Sequence, residues 1–390
     1  MTTAPTLTIK GFSCIKELTV EFRRFVVFIG EQASGKSVTC KLYYFFTQAL
    51  QKVVWECLRE ELGVDEFKRR FIQEFGAIFP EVSWHQDTFS IDWRLGDQRI
   101  GIAHRRGNKN IKLDLYDYGD YYQKALERIS RFTLERSKKP DAIEDRWRRD
   151  EFMSNVISEI FSPVAVNYIP AGRSFFSTIQ DVVFSLLSNN VGIDYFLKEF
   201  GRQLEALRRF RYAVRADSGQ GDLFSNLCRK ILHGTYEYDG KDQWIVVDKK
   251  HRIRLADASS GQQEALPLLM MLSHSLNSFK SPSQRFRRKN GFRILIEEPE
   301  AHLYPTAQQD IVDAIGRVLQ GGAPTGCIIT THSPFILCCI NNVLKRQRDL
   351  QEAVSAYHLH EGVGDAIYKS DLRLIDAERF DNISLEIANA

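Results

Sequence analysis

The chain has 390 residues, 43% hydrophobic and 26% charged, enough to bury a large core in one domain or two. Its formal net charge of +3 is too small to indicate nucleic-acid binding by itself. The first residues lack the pattern of a signal peptide, no apolar run approaches the roughly 20 residues of a membrane span, and the seven cysteines form no C-x-x-C pair. We therefore expect a cytoplasmic protein with reduced thiols and no membrane contact.

The amino-terminal part is predicted to be rich in strands around one long helix. Buried or half-buried strands are predicted over TLTIKG, KELTVEF and RFVVFIG, and a helix over Lys36–Leu62. Alternating apolar and polar residues then predict half-exposed antiparallel strands in VSWHQDTFSIDWRL, QRIGIAHRR and IKLDLYDY.

The middle of the chain is predicted to be largely helical. Tyr121–Ile160 carries both signs of charge and is interrupted at SKKPDA, which indicates a solvated helical hairpin. VAVNYIP predicts a strand, and more helices are expected from Phe176 to Leu232.

The carboxy-terminal part predicts an α/β arrangement. A small β section, TYEYDG and QWIVVDKKHRIRL, precedes ADASSGQQEALPLLMMLSHSL. Strand–helix units of a mostly parallel sheet are then predicted from FRILIEEPEAHLYP, GCIITTHSPFIL and AVSAYHLHEG. We expect a sheet whose strands come from both ends of the chain, divided in sequence into 1–118, a helical lobe 119–233, and 234–390.

The stretch GEQASGKS, Gly30–Ser37, fits the Gly-x-x-x-x-Gly-Lys-Ser pattern and lies between a predicted strand and a predicted helix. Its glycines let the backbone curl, and the following helix N-terminus favours an anion. Lys36 is predicted to reach the β- and γ-phosphates of a nucleotide, and Ser37 to supply a hydroxyl to Mg²⁺. The alternative is a flexible loop with a solvated lysine.

Two carboxylates follow the predicted strand RILI. We predict that Glu297 binds Mg²⁺ and that Glu298 orients and deprotonates the attacking water. The alternative is an exposed acidic strand end.

Two further motifs suggest contacts with phosphate. His332 follows the predicted strand CIIT and is expected to donate to the γ-phosphate; a structural histidine is the alternative. Ser259, Ser260 and Gly261 precede a helix predicted to begin near Gln262, either as a second anion site or as an ordinary N-cap with Glu264 nearby.

Together these motifs resemble the ATP-binding cassette ATPases of the SMC, RecF and OLD branch. GEQASGKS resembles Walker A, ASSGQ the signature motif, and ILIEE Walker B, with Glu297 where aspartate is more common. PEAHLYP and TTHSP resemble the D-loop and histidine switch of OLD-like proteins. YIPAGRSFF is similar to a segment of OLD-like ATPases, in which Arg173 either faces phosphate or a partner, or forms a structural ion pair.

The resemblance implies an ABC-type ATPase head with a β subdomain and a helical insertion. It also implies ATP and Mg²⁺ as cofactors, and a homodimer or higher even-numbered oligomer in which two heads enclose two ATP molecules. The catalytic residues are then Glu298 and His332, and the metal ligands Ser37 and Glu297. The nucleotide-binding residues are Gly30, Glu31, Gln32, Ala33, Ser34, Gly35, Lys36, Ser37 and Val38 in one copy, and Ser259, Ser260, Gly261 and Gln262 in the other.

Three functions compete for such an ATPase. A transporter motor is disfavoured, because the insertion between Lys36 and Ser259 is far larger than transporter heads carry. The preferred function is a sensor or scaffold in bacterial anti-phage defence, acting on a separate nuclease or toxin, because the residues after His332 contain no nuclease pattern. A RecF-like ATPase bound to DNA is the alternative. The basic stretches that test it are His104–Lys112, Arg208–Arg215 and Arg285–Asn290, each of which is otherwise a solvated surface.

Overall fold

The computed structural model describes residues 4–107, 111–136, 142–161, 164–178, 194–214, 223–278, 291–320, 325–378 and 380. In chain order, its strands are β1 Thr6–Phe12, β2 Ile15–Glu21, β3 Phe25–Gly30, β4 Phe89–Leu95, β5 Gln98–His104, β6 Lys112–Asp114, β7 Ala165–Ile169, β8 Thr235–Tyr238, β9 Gln243–Val246, β10 Arg252–Arg254, β11 Phe292–Glu297, β12 Thr325–Thr331, β13 Val354–His360, β14 Val363–Ala366, β15 Tyr368–Lys369 and β16 Leu374–Ile375.

The helices alternate with these strands along most of the chain. They are α1 Lys36–Tyr44, α2 Leu50–Arg59, α3 Val64–Ile78, α4 Asp117–Arg136, α5 Ala142–Phe161, α6 Phe175–Thr178, α7 Tyr195–Val214, α8 Leu223–Leu227, α9 Ser260–Ser278, α10 Pro305–Gln320, α11 Pro334–Arg346 and α12 Arg348–Gln351. Two π-helical segments, Phe45–Ala49 and Cys228–Leu232, follow α1 and α8.

The chain divides into two compact units. The first comprises Met1–Val166, Arg285–Arg293 and Ala353–Ile367. The second comprises Asn167–Gln284, Ile294–Glu352 and Tyr368–Ala390. These units combine segments from distant parts of the sequence, whereas the predicted division is into three consecutive segments, 1–118, 119–233 and 234–390. That three-part division stays a prediction.

The first unit contains a large mixed sheet with strand order β6-β5-β4-β1-β2-β14-β13-β3. The predicted antiparallel strands pair with one another, β4 with β5 and β5 with β6, and β4 also pairs with β1. At the other side β13 runs parallel to β3, from Val354 opposite Phe25 to Leu359 opposite Gly30. All six residues of β3 are buried, as in a strand covered on both faces. The predicted α/β class, with a mixed sheet built from both chain ends, is confirmed.

The predicted long helix after the phosphate loop runs from Lys36 to Arg59 and contains a π turn. The Thr47 hydroxyl donates to the carbonyls of Tyr43 and Tyr44 at 2.7 and 3.3 Å, within the segment where the helix widens. Phe45, in that turn, packs against Phe71 and Phe75 of α3, with ring centroids 5.1 and 5.3 Å apart.

The charged helical hairpin is confirmed as α4 and α5, and the predicted break SKKPDA lies mostly outside the described residues. Phe132 and Phe152 stack between the two helices, with centroids 4.1 Å apart. Arg149 of α5 donates to Glu61 at 2.8 Å and to the Arg59 carbonyl at 2.9 Å. The hairpin is therefore tied to the end of α2 within the first unit.

The second unit holds three neighbouring strands in the order β12-β11-β7 and a small sheet in the order β10-β9-β8. Helix α9 contacts α7 and α10, and α10 packs on α11. Helices are present as predicted between Phe176 and Leu232, although residues 179–193 and 215–222 lie outside the described part of the chain.

None of the seven cysteines is in a disulfide, and five are buried: Cys40, Cys57, Cys228, Cys327 and Cys339. Within the described ranges, no helix is both long and apolar enough to cross a membrane.

Candidate functional site

The loop Gly30–Ser37 joins β3 to α1, and both of its glycines have backbone geometry that side chains rarely adopt. Gly30 has φ 156° and Gly35 has φ 102°. A Cβ on Gly30 would lie 2.0 Å from the carbonyl oxygen of Leu359, and one on Gly35 would lie 2.6 Å from Cγ1 of Ile15. Both positions therefore require glycine, as the phosphate-loop interpretation of this stretch expects.

Lys36 begins α1, and only 5% of its surface is exposed. Its Nζ donates to the carbonyl oxygens of Gly30 and Glu31 at 2.7 and 2.6 Å and to Oγ of Ser34 at 3.3 Å. A buried ammonium is costly unless hydrogen bonds stabilise it, and here the loop supplies them. The charge is thus held inside the loop, at a helix N-terminus whose dipoles also favour an anion. This geometry disfavours the alternative of a solvated lysine.

Glu297 ends β11, and its carboxylate is buried, with 6% of the residue exposed. Oε2 accepts a hydrogen bond from the backbone N–H of Ala171 at 3.2 Å. Oε1 is buried without a hydrogen-bond partner among the described residues. A buried carboxylate oxygen with no donor suits a cation, so Glu297 fits the predicted magnesium ligand in its chemistry. Glu297 is not the exposed acidic residue of the alternative interpretation.

Glu298 follows the strand in a strained conformation, with φ 44°. Its Oε1 lies 3.2 Å from Nε2 of His332, and both side chains are about one-third exposed. Left-handed backbone at a non-glycine residue costs on the order of 1–3 kcal/mol and is concentrated at functional sites. The second unit thus brings Glu298 and His332 together, while their predicted roles, with the attacking water and the γ-phosphate, stay predictions.

Glu300 has a role that was not predicted from the sequence. Its Oε1 accepts hydrogen bonds from Oγ1 of Thr331 at 2.7 Å and from the backbone N–H of His332 at 2.8 Å. Its Oε2 is buried without a partner in the described part of the chain. Glu300 therefore fixes the turn that presents His332. Glu300 lies in PEAHLYP, and the resemblance of this stretch to a D-loop gives the residue no role.

The segment Ser259–Gln262 forms a reciprocal cap at the start of α9. Gln262 Oε1 accepts hydrogen bonds from the Ser259 N–H and hydroxyl, both at 3.1 Å, and the Gln262 N–H donates to Ser259 Oγ at 3.4 Å. The N-cap alternative is therefore realised, although with Gln262 rather than Glu264. Ser259 and Ser260 are exposed, so the cap does not exclude contact with an anion.

Gly261 and Glu264 connect this cap to its surroundings. A Cβ on Gly261 would lie 2.7 Å from the carbonyl oxygen of His302, so this position also requires glycine. Glu264 is buried and pairs with Arg173, whose Nε lies 3.2 Å from Glu264 Oε2. Of the two interpretations of Arg173, the structure therefore shows the structural ion pair.

The basic stretches are described only in part. Arg208 is half-buried: its Nη2 donates to the Phe176 carbonyl at 3.4 Å, and burial lowers the pKa of its guanidinium. Arg106 is exposed and pairs with Asp87 at 3.2 Å. Residues 108–110, 215 and 285–290 lie outside the described ranges, as do the side chains of residues 209–214. Among the residues the structure describes, no cluster of three or more His, Cys, Asp or Glu side chains is suited to bind a metal.

A family model described as an AAA ATPase domain matches residues 97–337. The chain belongs to this family. The matched span of the AAA ATPase domain contains Ser259, Glu297, Glu298 and His332, whereas the phosphate loop Gly30–Ser37 precedes it. No curated protein matched the chain.

Solved structures that are similar to this chain include the heads of SMC proteins and a RecF protein. An SMC head bound to the C-winged helix domain of ScpA is 13% identical, with 94% of this chain and 97% of that chain covered and a TM-score of 0.44. The Thermotoga maritima SMC head is 12% identical, with 94% and 98% covered and a TM-score of 0.38. RecF with ATPγS, named for the RecFOR pathway, is 11% identical, with 94% and 99% covered and a TM-score of 0.36. All three scores lie below 0.5, and the function proposed below is inferred from this chain's own residues.

Proposed function

We propose that this chain binds and hydrolyses ATP, dimerises around the nucleotide, and acts as a sensor or scaffold for a separate nuclease or toxin in bacterial anti-phage defence. The observation that carries the ATPase proposal is the buried Lys36 ammonium, held by the carbonyls of a loop that requires glycine at Gly30 and Gly35. This arrangement keeps a positive charge at a helix N-terminus, which suits the phosphates of a nucleotide.

The remaining roles follow from the chemistry of each side chain. Glu297, whose Oε1 has no hydrogen-bond partner among the described residues, would hold Mg²⁺, which neutralises phosphate charge when it is bound. In the first unit, the exposed hydroxyl of Ser37 stays the predicted metal ligand of the phosphate loop. Glu298 would accept the proton of the attacking water. His332, whose Nε2 lies 3.2 Å from Glu298, would orient that carboxylate and donate to the γ-phosphate.

The dimer proposal rests on the start of α9. Ser259 and Ser260 are exposed at a capped helix N-terminus, where a phosphate of a second copy's nucleotide could accept from them. In the ATPases that these motifs resemble, the signature segment completes the site of the opposite copy. ATP would then act as a ligand that favours the dimer, and hydrolysis would release it.

ATP turnover and molecular mass test this proposal. We expect the wild-type chain to hydrolyse ATP with Mg²⁺, and the Glu298→Gln chain to become dimeric by light scattering when ATP and Mg²⁺ are added. A Ser259→Arg chain should bind ATP and remain monomeric, because the larger arginine side chain would fill the space at the exposed cap where the second copy is proposed to bind. A wild-type chain that neither binds nor hydrolyses ATP contradicts the proposal.

The RecF-like alternative makes a different prediction about DNA. It requires basic side chains that can contact phosphate: Arg208 is half-buried and donates to the Phe176 carbonyl, whereas Arg106 is exposed in a surface pair with Asp87. Salt-dependent binding to duplex DNA at physiological ionic strength would favour the alternative. Protection of cells from phage by this chain and a neighbouring effector gene, lost with Lys36→Ala, would favour defence.

The hairpin of α4 and α5 is the proposed contact for the effector. Trp147 of α5 and Leu134 of α4 are both 68% exposed on a hairpin rich in charged residues, and an exposed aromatic side chain among arginines is suited to a protein contact. Because Arg149 pairs with Glu61, a point substitution is a cleaner test than deleting the hairpin. We expect Trp147→Ser to keep ATP turnover within about twofold and to lose co-purification of the effector and protection from phage.

Val82 offers a matched control for this substitution. It lies in the same unit and is 85% exposed. Val82→Ser should therefore leave both ATP turnover and effector binding unchanged. If Trp147→Ser retains the effector as well as Val82→Ser does, the hairpin is not the docking surface.

A further inference from the structure

Among the described residues of the second unit, Arg173 is the largest fully buried side chain. None of its surface is exposed, yet it carries a guanidinium that remains charged in proteins. Burial lowers its pKa. Four nearby carboxylates oppose this shift and raise the pKa, in decreasing order of effect Glu264, Glu300, Glu298 and Glu297. Burying such a charged group has a large desolvation cost, so its presence here calls for a structural or functional explanation.

The donors of Arg173 converge on the end of β11. Nη1 donates to the Glu297 carbonyl at 2.8 Å, and Nη2 donates to the Glu298 carbonyl at 3.0 Å. These are the main-chain oxygens of the two residues proposed to hold the metal and activate water. The same loop supplies the Ala171 N–H that binds Glu297 Oε2 at 3.2 Å. Both carboxylates are therefore positioned from the 170–173 loop, through the main chain and through one side chain.

The Nε edge of the guanidinium contacts the first turns of α9. Nε donates to the Glu264 carbonyl at 3.0 Å and lies 3.2 Å from Glu264 Oε2. Ser174 N–H also donates to Glu264 Oε1, at 3.3 Å, and the Ser177 hydroxyl donates to the Gln263 carbonyl at 3.1 Å. Gln262, the residue before Gln263, forms the cap with Ser259. One arginine thus connects the Ser259 cap, through α9, to the acidic strand end.

We infer that Arg173 is a positioning residue that holds the main chain of Glu297 and Glu298 in its productive geometry and couples it to the helix that begins at Ser259. The strained φ of 44° at Glu298 explains why such a tie is needed, because an unsupported residue would relax toward ordinary backbone. Relaxation would move the Glu298 carboxylate from His332. The inference rests on the proposed ATPase function of the same residues.

Two substitutions separate positioning from general stability. Arg173→Met removes every donor and keeps an apolar stem, whereas Arg173→Lys keeps the charge with fewer donors in a different geometry. We expect Arg173→Met to lower kcat about 100-fold, since a displacement of about 1 Å at a reacting group costs this much. Arg173→Lys should lose about tenfold. The half-saturating Mg²⁺ concentration should rise with Arg173→Met, while the Kd for ATP in EDTA should change less than about threefold, because Lys36 belongs to the first unit.

Arg208 provides the matched control. It is a half-buried arginine of the second unit, but its Nη2 donates to the Phe176 carbonyl and not to the acidic strand end. Arg208→Met should lower the Tm, because its hydrogen bond to the Phe176 carbonyl is lost, yet leave kcat and Mg²⁺ dependence near wild type. Glu264→Gln removes the ion pair and keeps the carbonyl acceptor, so it should lower kcat in a folded chain.

The outcomes are distinguishable. If the wild-type chain has no ATP turnover, the proposed function fails and this inference fails with it. If the wild-type chain turns over ATP and a folded Arg173→Met chain does so at the same rate, only the inference fails. If Arg173→Met does not fold, Arg173→Lys and Glu264→Gln decide: wild-type kcat and Mg²⁺ dependence in both overturn the inference, and a loss of kcat with unchanged Kd for ATP supports it.

Discussion

A Lys36→Ala chain is expected to lose measurable ATP binding. In the wild type, the ammonium is held by the carbonyls of Gly30 and Glu31, at the point where the proposed phosphates would lie. No other residue of the loop Gly30–Ser37 carries a positive charge. We expect the Kd for ATP to rise at least 100-fold, about 2.7 kcal/mol, well above the roughly 1 kcal/mol of an exposed ion pair.

The loss must be separated from unfolding. Removing Nζ leaves two loop carbonyls without this donor, which costs about 1–3 kcal/mol if water does not replace it. Titration of ATP should therefore be done well below the Tm of the variant, with Lys16→Ala as a control because Lys16 is exposed in the same unit. Binding by Lys36→Ala with an affinity near that of Lys16→Ala would disprove the phosphate-loop assignment.

Glu298→Gln is expected to abolish most ATP hydrolysis while ATP remains bound. Glutamine is nearly the same size, can still accept from His332, and needs no change in the strained backbone, but it cannot take a proton from water. General-base catalysis contributes about 100- to 10,000-fold, so kcat should fall by an amount in this range. Single-turnover hydrolysis and equilibrium binding of ATP measure the two effects separately.

The neighbouring substitution Glu297→Gln should give a different phenotype. The amide oxygen can still accept from Ala171, so the fold should persist, but one of the negative charges offered to Mg²⁺ is lost. We expect a higher half-saturating Mg²⁺ concentration and a kcat that recovers with added metal. If Glu298→Gln hydrolyses ATP at the wild-type rate, the roles of the two carboxylates are wrong, or ATP serves as a structural ligand.

Local features of the candidate site could be predicted from the sequence because each depends on neighbours in the chain. The order of apolar strand, glycine-containing loop and helix places Lys36 at a helix N-terminus whatever the rest of the chain does. Likewise, an apolar run that ends in Glu297 and Glu298 places both carboxylates at a strand end. The helical hairpin of α4 and α5 followed from a break between two charged helical patterns.

The partners of the buried charges could not be predicted in this way. Arg173 and Glu264 are 91 residues apart, and Glu300 lies 31 residues from Thr331, so no local pattern relates them. A charged side chain in a loop is usually solvated, and the sequence contains no sign of its burial. For this reason the sequence predicts no role for Glu300. It also leaves two roles open for Arg173, which only the contacts of its side chain distinguish.

The sequence by itself determined the class of the fold, the phosphate-loop candidate and the two acidic residues, because periodicity and turn chemistry act over a few residues. Only the tertiary structure decided that β13 pairs in parallel with β3 from Val354 opposite Phe25, that Glu298 has a left-handed backbone beside His332, and that a single buried arginine holds the acidic strand end. These features depend on contacts between distant residues. Such contacts form only when burial of the apolar core compensates the entropy of closing long loops and the desolvation of charge.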